Sequence, residues 1–339
     1  MQIRKIIMKA STEYKMAHKS DFGKERIEIL YEDKDLIVIY KPEGMLSVPY
    51  PGSHARTALD TLEQIMRKKG TWSQNHKPLT VHRLDRETSG VMMFALNEAS
   101  QKKIMDNWHK MVTERLYRAV AENPKDDFLP DYGIIEDELA YNAYNVGFVP
   151  KKGDKPNANA LQTAKKASSK ANNEMQSIYE RNLNVKNGKA EFKTISARTH
   201  FKVIARGKRH TLFELSLDTG RKNQIRAHLA SKGYPLAGDE NYRAKTDPFF
   251  RLALHARTLE FDHPFTGEHL KFEVPEPKEW LECVENGTGN HKPPVWQESK
   301  KHEKKQTDIY KELNQQKKSR PTGKQLKGMD FIQRGKNHR

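Results

Sequence analysis

Two short, wholly apolar runs restrict what this chain can fold into: "LIVIY" at Leu36–Tyr40 and "VMMFAL" at Val91–Leu96. Both are far shorter than the ~20 residues of a membrane-spanning helix. A run of this length, rich in branched residues and bounded by turn signals, reads as a buried strand. Pro42, Gly44, Pro49, Pro51 and Gly52 punctuate a loop after the first run. Next, "ALDTLEQIMRKKG" spaces Leu59, Leu62, Ile65 and Met66 as one helical face and stops on Gly70. "NEASQKKIMDNWHK" predicts a second helix, with Ile104 and Trp108 four residues apart. "TISARTHFKVIA" and "HTLFELSLDTG" predict a hairpin turned by "RGKR", because Phe213, Leu215 and Leu217 alternate with Glu214 and Ser216. "RKNQIRAHLASKG" predicts a helix opening after Gly220 and stopping at Gly233, and "LALHARTLEFDHP" a further strand. Helices and strands joined by short turns define an α+β chain.

The formal net charge is +17 over 339 residues, and residues 291–339 hold 14 Lys and Arg against 5 Asp and Glu. No strongly apolar amphipathic stretch accompanies this charge, so the expected partner is nucleic acid rather than membrane. Cys283 is the lone cysteine, which excludes an intramolecular disulfide and suits a cytoplasmic protein. The opening residues lack the apolar stretch of a signal peptide. Residues 1–28 are expected to form an arm and 29–285 the main folded domain. Within it, 151–190, rich in Lys, Asn, Ala and Ser, should be a mobile insertion. Apolar residues thin out past Pro275, and 286–339 should be a basic, disordered tail.

Phosphate loops of the G-x-G-x-x-G and G-x-x-x-x-G-K-[ST] kinds are absent, as are HExxH, CxxC and G-x-S-x-G. No cofactor and no metal is expected. What stands out instead is "VHRLDRETSG", Val81–Gly90, where Asp85 sits between Arg83 and Arg86. In an extended segment residues two apart share a side, so Arg83 and Asp85 can face one ligand while Leu84 anchors the loop. Nearby guanidinium groups favour the ionised carboxylate, which suits a nucleophile or base rather than a proton donor. The other reading of the same residues is a structural ion-pair network. A second basic group, Arg221, Lys222 and Arg226, falls on the predicted first turns of the helix after Gly220, where N–H groups and cations can hold phosphate. Tyr117 lies between Arg115 and Arg118 in "TERLYRAVAE", a strand-like segment.

Taken together, "YEDKDLIVIYKPEGMLSVP", "HRLDRETSG", "LDTGRKNQIRAHLASKGYPLAGDENY" and "LALHARTLEFDHPFTGE" resemble the RluA family of RNA pseudouridine synthases, from about Tyr31 to Pro275. The resemblance implies a mixed, largely antiparallel central sheet with flanking helices and an RNA-binding cleft. It implies that Asp85 is the essential aspartate, acting on the uridine ribose at C1′ or at the C2′ proton. Tyr117 matches the tyrosine that packs against the flipped base and is implicated in deprotonating C5. Arg226 matches the basic partner of the aspartate, and Arg83 the arginine that enters the space left by the flipped nucleotide. Arg86, Arg221 and Lys222 are assigned to RNA contact. The expected substrate is ribosomal RNA, transfer RNA or both, and the expected state a monomer with no obligate protein partner.

Three features depart from the family pattern. Asn223 stands where a histidine commonly precedes "QIR", the insertion at 151–190 is unusual, and some 30 residues before the first motif cannot hold an S4 RNA-binding domain. Two other functions compete with the isomerase. One is a non-catalytic RNA-binding module on the same fold. The other is a glycosidic hydrolase, which needs a second carboxylate, for which Glu87 and Asp239 are the candidates.

Overall fold

The structure is a computed structural model that describes residues 4–7, 27–50, 53, 55–156, 180–186, 189–294 and 296–297. Two compact units divide the chain, Met1–Lys292 and Pro293–Arg339, and everything below concerns the first. Strands β1 to β5 are Arg4–Ile7, Glu28–Glu32, Leu36–Lys41, Leu79–Thr80 and Ser89–Ala95; β6 to β10 are Val112–Glu122, Tyr132–Ile135, Ala140–Tyr141, Gly147–Phe148 and Leu183–Lys186. The remaining strands, β11 to β15, are Lys189–Phe192, Thr199–Arg206, His210–Leu217, Leu254–Asp262 and His269–Glu273. The four helices among the described residues with more than one turn are α1 Ala58–Lys69, α2 Glu98–Met111, α3 Gln224–Ser231 and α4 Glu279–Asn286.

One sheet runs β2-β3-β5-β14-β6-β13-β12-β7, with β15 on β14 and β4 on β5. Its neighbours are antiparallel except β5 against β14, and β1 against β15. This is the mixed, largely antiparallel sheet that the family resemblance implies. The apolar runs show why it is central. β3 and β5 are buried at every position, yet their side chains still alternate. Ile37, Ile39, Met92 and Phe94 enter one core layer, and Leu36, Val38, Val91 and Met93 the other. Leu62 and Met66 of α1 and Leu229 of α3 close the first layer, whereas Ile104 and Met111 of α2 close the second. Helix α1 starts on a capping box formed by Thr57 and Asp60 and ends on Gly70 in the left-handed region.

Gly90 sets the approach of β5 to β14. Its φ is +127°, and a Cβ there would stand 2.1 Å from the Ala256 carbonyl oxygen, so no side chain fits the contact. Ala256 is in turn paired with Tyr117 of β6. The loop that carries Asp85 and the strand that carries Tyr117 therefore converge on β14.

Three segments differ from the sequence expectation. The helix expected to open after Gly220 begins at Gln224, with Asn223 at its cap in the left-handed conformation. Arg221 and Lys222 consequently lie in the preceding turn. Past Pro275 the chain continues into α4, whose Trp280 and Val284 share a core cluster with Val120 and Leu212 and whose Cys283 is also buried. Within 1–28, Arg4–Ile7 pairs in parallel register with Leu270–Glu273. Most of the expected insertion, 157–179, and most of the expected tail, 298–339, lie outside the described residues. The C-terminal part of the insertion forms the β10–β11 hairpin.

Candidate active site

The loop between β4 and β5 is held on both sides of Asp85 by the segment that follows β3. The Ser47 hydroxyl donates to the Leu84 carbonyl at 2.7 Å and accepts from the Leu84 N–H at 3.1 Å. Lys41, fully buried, donates from Nζ to the carbonyls of Pro42, Met45 and Arg86 at 2.8, 2.7 and 3.2 Å. Arg86 Nε returns a bond to the Gly44 carbonyl at 3.0 Å. "KPEGMLS" is thus a clamp on the residues flanking Asp85, and buried Leu84 anchors the loop in the core. Burial pushes the Lys41 amine down to about 7, against the pull of Glu43, Glu87 and Asp85.

Asp85 emerges from this clamp at the wall of a cavity of about 440 Å³, a volume within the ordinary range of ligand pockets. Its Oδ2 accepts a hydrogen bond from Asn223 Nδ2 at 2.6 Å and lies 3.5 Å from Arg226 Nη1. The Asn223 amide is itself oriented, because its Oδ1 accepts the Gly147 N–H at 3.4 Å. Arg226 is committed elsewhere. Its Nε and Nη2 donate to Asp239 at 2.7 and 2.8 Å, and both side chains are nearly inaccessible. Burial works against this charge, but the bidentate Asp239 and the nearby Asp85 hold the Arg226 pKa above its ordinary value. The expected pairing of Arg226 with Asp85 is present, yet Asp239 is the closer partner and Asn223 the closer donor to Asp85.

Tyr117 lines the same cavity from β6. Burial pushes its phenol up, opposed by Arg115 and helped by Asp85, so it stands there as a neutral phenol. Arg83 is exposed and lines the cavity, as does Arg221, whose Nε donates to the Ser196 carbonyl at 3.1 Å. Arg86 and Lys222 are exposed but do not line it. The phosphate site expected at a helix N-terminus is altered. The Arg221 N–H and the Thr219 hydroxyl are both taken by the Gln224 side chain, at 3.0 and 2.7 Å.

Asp85 is the sole carboxylate among the lining residues. Glu87 lies outside the lining, and Asp239 is locked onto Arg226, which removes the second acid that a hydrolase needs. Among the described residues, Asp33, Asp35 and His263 have metal-ligand spacing. Several of their atoms are otherwise engaged, although Asp35 Oδ2 and His263 Nε2 are buried without a hydrogen-bond partner among the described residues. Asp33 Oδ1 accepts the N–H groups of Asp35 and Leu36, and His263 Nδ1 accepts the Thr266 N–H at 3.1 Å. His263 Nε2 faces Asp33 Oδ2 at 2.9 Å. The arrangement ties two turns together.

Sequence reasoning missed the contact of Asn223 with Asp85, the Arg226–Asp239 pair and the role of "KPEGMLS". The departure from histidine at position 223 was the visible signal for the first. Asp239 follows Arg226 by thirteen residues, and nothing in the pattern links them before the loop folds back.

A family model described as RNA pseudouridylate synthase matches residues 35–231. An RNA pseudouridine synthase of Bacillus subtilis, itself called uncharacterized, is 32% identical over 262 residues, covering 77% of this chain and 72% of that protein. Ribosomal large subunit pseudouridine synthase D of Neisseria meningitidis (strain Z2491) is 31% identical over 265 residues, covering 74% of this chain and 58% of that enzyme. Among solved structures, human RNA pseudouridylate synthase domain containing 4 superimposes with a TM-score of 0.52 at 20% identity, covering 75% of this chain and 90% of that one. That likeness shows the same fold. The chain belongs to the RNA pseudouridine synthase family, in its RluA branch. It is an enzyme that isomerises uridine to pseudouridine in RNA. No helix among the described residues is long and apolar enough to cross a membrane.

Proposed function

We propose that the enzyme modifies large-subunit ribosomal RNA and that Asp85 is its reacting group. The observation that carries the second part is a single carboxylate at the wall of a nucleotide-sized cavity, bonded to Asn223, beside Arg226 and sharing the cavity with Tyr117. The ribosomal substrate is supported by the names of the Neisseria relatives. The chemistry asks for no more than these side chains. The N1–C1′ bond breaks, the base turns, a C5–C1′ bond forms, and the proton lost from C5 is balanced by one gained at N1. Nothing is oxidised or reduced. Asp85 acts on the ribose, by attack at C1′ or by removing the C2′ proton, while Asn223 and Arg226 fix its free rotation and its charge.

Tyr117, a neutral phenol at the outset, is the surface against which the freed base packs. Exposed Arg83, two residues from Asp85 on the same side of the loop, fills the stack as the uridine leaves it, offsetting part of the cost of unstacking. Arg221 contacts the backbone at the cavity edge. Arg86 serves the loop through Gly44, and it and Lys222 contact phosphate only from outside the cavity.

The test is a map of pseudouridines across ribosomal and transfer RNA in cells with the gene, without it, and with Asp85→Asn. A large-subunit site should vanish in both deficient strains. Its persistence in the Asp85→Asn strain would exclude Asp85 as the reacting group, and a lost site confined to transfer RNA would overturn the substrate.

A further inference from the structure

We propose that the cleft contains a second nucleotide site, in which a base flanking the target uridine stacks on Trp108 while its phosphate meets Arg115. This inference rests on the isomerase reading above. Beside the reacting cavity lies another of about 390 Å³, nearly its equal. The two share Trp108, His109, Arg115 and Leu217 in their walls. An RNA strand that places one nucleotide against Asp85 therefore has room of the same size for a neighbour, past a shared aromatic partition.

Trp108 is built as a platform. It projects from the last turn of α2 and is only half-buried. His82 packs against the indole, with ring centroids 4.9 Å apart. His82 is itself fixed, since its Nε2 accepts the Met93 N–H at 2.9 Å. Burial, reinforced by Arg115, pushes His82 down to about 3, so the backing ring is neutral. Every base offers a π face, so such a platform accepts any neighbour.

The charge pattern of the second cavity fits a phosphate. Its two carboxylates are already paired: Glu114 with Lys271 at 3.0 Å, and Asp218 with Arg198 at 3.3 Å and His200 at 2.9 Å. Arg115 has no carboxylate partner among the described residues. It spans the cleft, with its guanidinium carbon 5.8 Å from the Trp108 ring centroid and Nη2 donating to the Leu217 carbonyl at 3.1 Å. That carbonyl bond orients the guanidinium and leaves its remaining donors for an anion.

The experiment uses the full chain and a short RNA hairpin holding the uridine mapped above. Two further hairpins lack the base on one or the other side of that uridine. Affinity is read with Asp85→Asn protein, and kcat and KM with active protein. Trp108→Ala should weaken affinity roughly tenfold, the size of one base–aromatic stack, and should raise KM more than it lowers kcat. Trp108→Phe should restore most of the affinity. Removing the base on one side should cost wild type the same factor and cost Trp108→Ala nothing further. Affinity of Trp108→Ala within twofold of wild type, or an abasic penalty equal in both proteins, overturns the proposal. Should Trp108→Ala fail to fold, the comparison of Trp108→Phe with wild type on the abasic hairpins decides: the proposal requires a smaller penalty for the smaller ring. Absence of pseudouridine with wild-type protein on the intact hairpin is a separate result, and it defeats the reading on which this site rests.

Discussion

Exchanging Asn223 for aspartate changes one NH₂ group for an oxygen and tests the site at its tightest contact. In the native protein Asn223 Nδ2 donates to Asp85 Oδ2 at 2.6 Å. In Asn223→Asp that donor becomes an acceptor at the same separation. A hydrogen bond to a charged group contributes about 1.5–3 kcal/mol, and this is lost. Two full charges 2.6 Å apart repel by about 6 kcal/mol at an effective dielectric constant near 20. Arg226, 3.5 Å from Asp85, returns part of that, but its fork stays on Asp239. Two carboxylates in such contact share one proton. The upper apparent pKa of the pair then rises by a few units, on the order of 1.4 kcal/mol each. On the proposed reading, Asp85 must be ionised to attack C1′ or to take the C2′ proton. Single-turnover release of tritium from 5-tritiated uridine in RNA should therefore gain an acidic limb in Asn223→Asp. The rate should step down below the new apparent pKa to a lower plateau, where the shared proton sits on Asp85 for part of the time, and recover above it. Asn223→Ala loses the donor without adding a charge, so its rate should drop with no new limb. If the Asn223→Asp profile superimposes on wild type with less than threefold change, the 2.6 Å contact is not part of the working site and the reasoning fails.

Two further outcomes follow from the elements that hold the loop. Gly90→Ala places a Cβ 2.1 Å from the Ala256 oxygen at a φ of +127°, and should cost about 3 kcal/mol or more in urea unfolding; a loss below about 1 kcal/mol would mean that β5 and β14 do not meet as described. Lys41 has an amine pushed down to about 7 by burial, with Glu43, Glu87 and Asp85 pulling it up and Arg251 down. Its unfolded value is near 10.5. Between those two values the unfolded chain binds the extra proton, so stability rises with pH across that window. Lys41→Met should remove this slope, on the order of 1 kcal/mol per pH unit, and equal slopes in the two proteins would refute the burial argument.

The parts of the fold legible in the sequence are those that neighbouring residues decide. "LIVIY" and "VMMFAL" announce β3 and β5 because no exposed position interrupts them, and Leu84 between Arg83 and Asp85 announces an anchored loop. The hairpin of β12 and β13 shows in its alternation and its "RGKR" turn. Helix α4 is too short to stand out although Trp280, Cys283 and Val284 keep helical spacing in "EWLECVEN", and Val120 and Leu212, the core partners of Trp280, come from two distant strands. The start of α3 was misplaced because Asn223 takes the left-handed conformation, and the Gln224 side chain occupies the N–H that a helix at 221 would have used.

The same division explains the active site. The family resemblance singled out Asp85, Tyr117 and Arg226, but it does not say which atoms are spent on one another. Arg226 offers a fork, and a fork takes one carboxylate squarely; Asp239 receives it. Asp85 is left with a single long contact to Nη1, which orients it without neutralising it as a bidentate pair would. The short bond to Asp85 comes from an amide instead. Unlike a histidine at that place, an amide keeps the same charge across the pH range. The β9 backbone, through Gly147, sets which end of that amide faces Asp85. Replacing the departure with the common residue is then no restoration. Asn223→His puts a titrating ring between Asp85 and the Gly147 N–H: the neutral ring can donate to one and accept from the other, but the protonated ring has two donors and loses the acceptor that Gly147 needs. The departure at 223 belongs with the hairpin of β8 and β9, and the two have to be read as one feature.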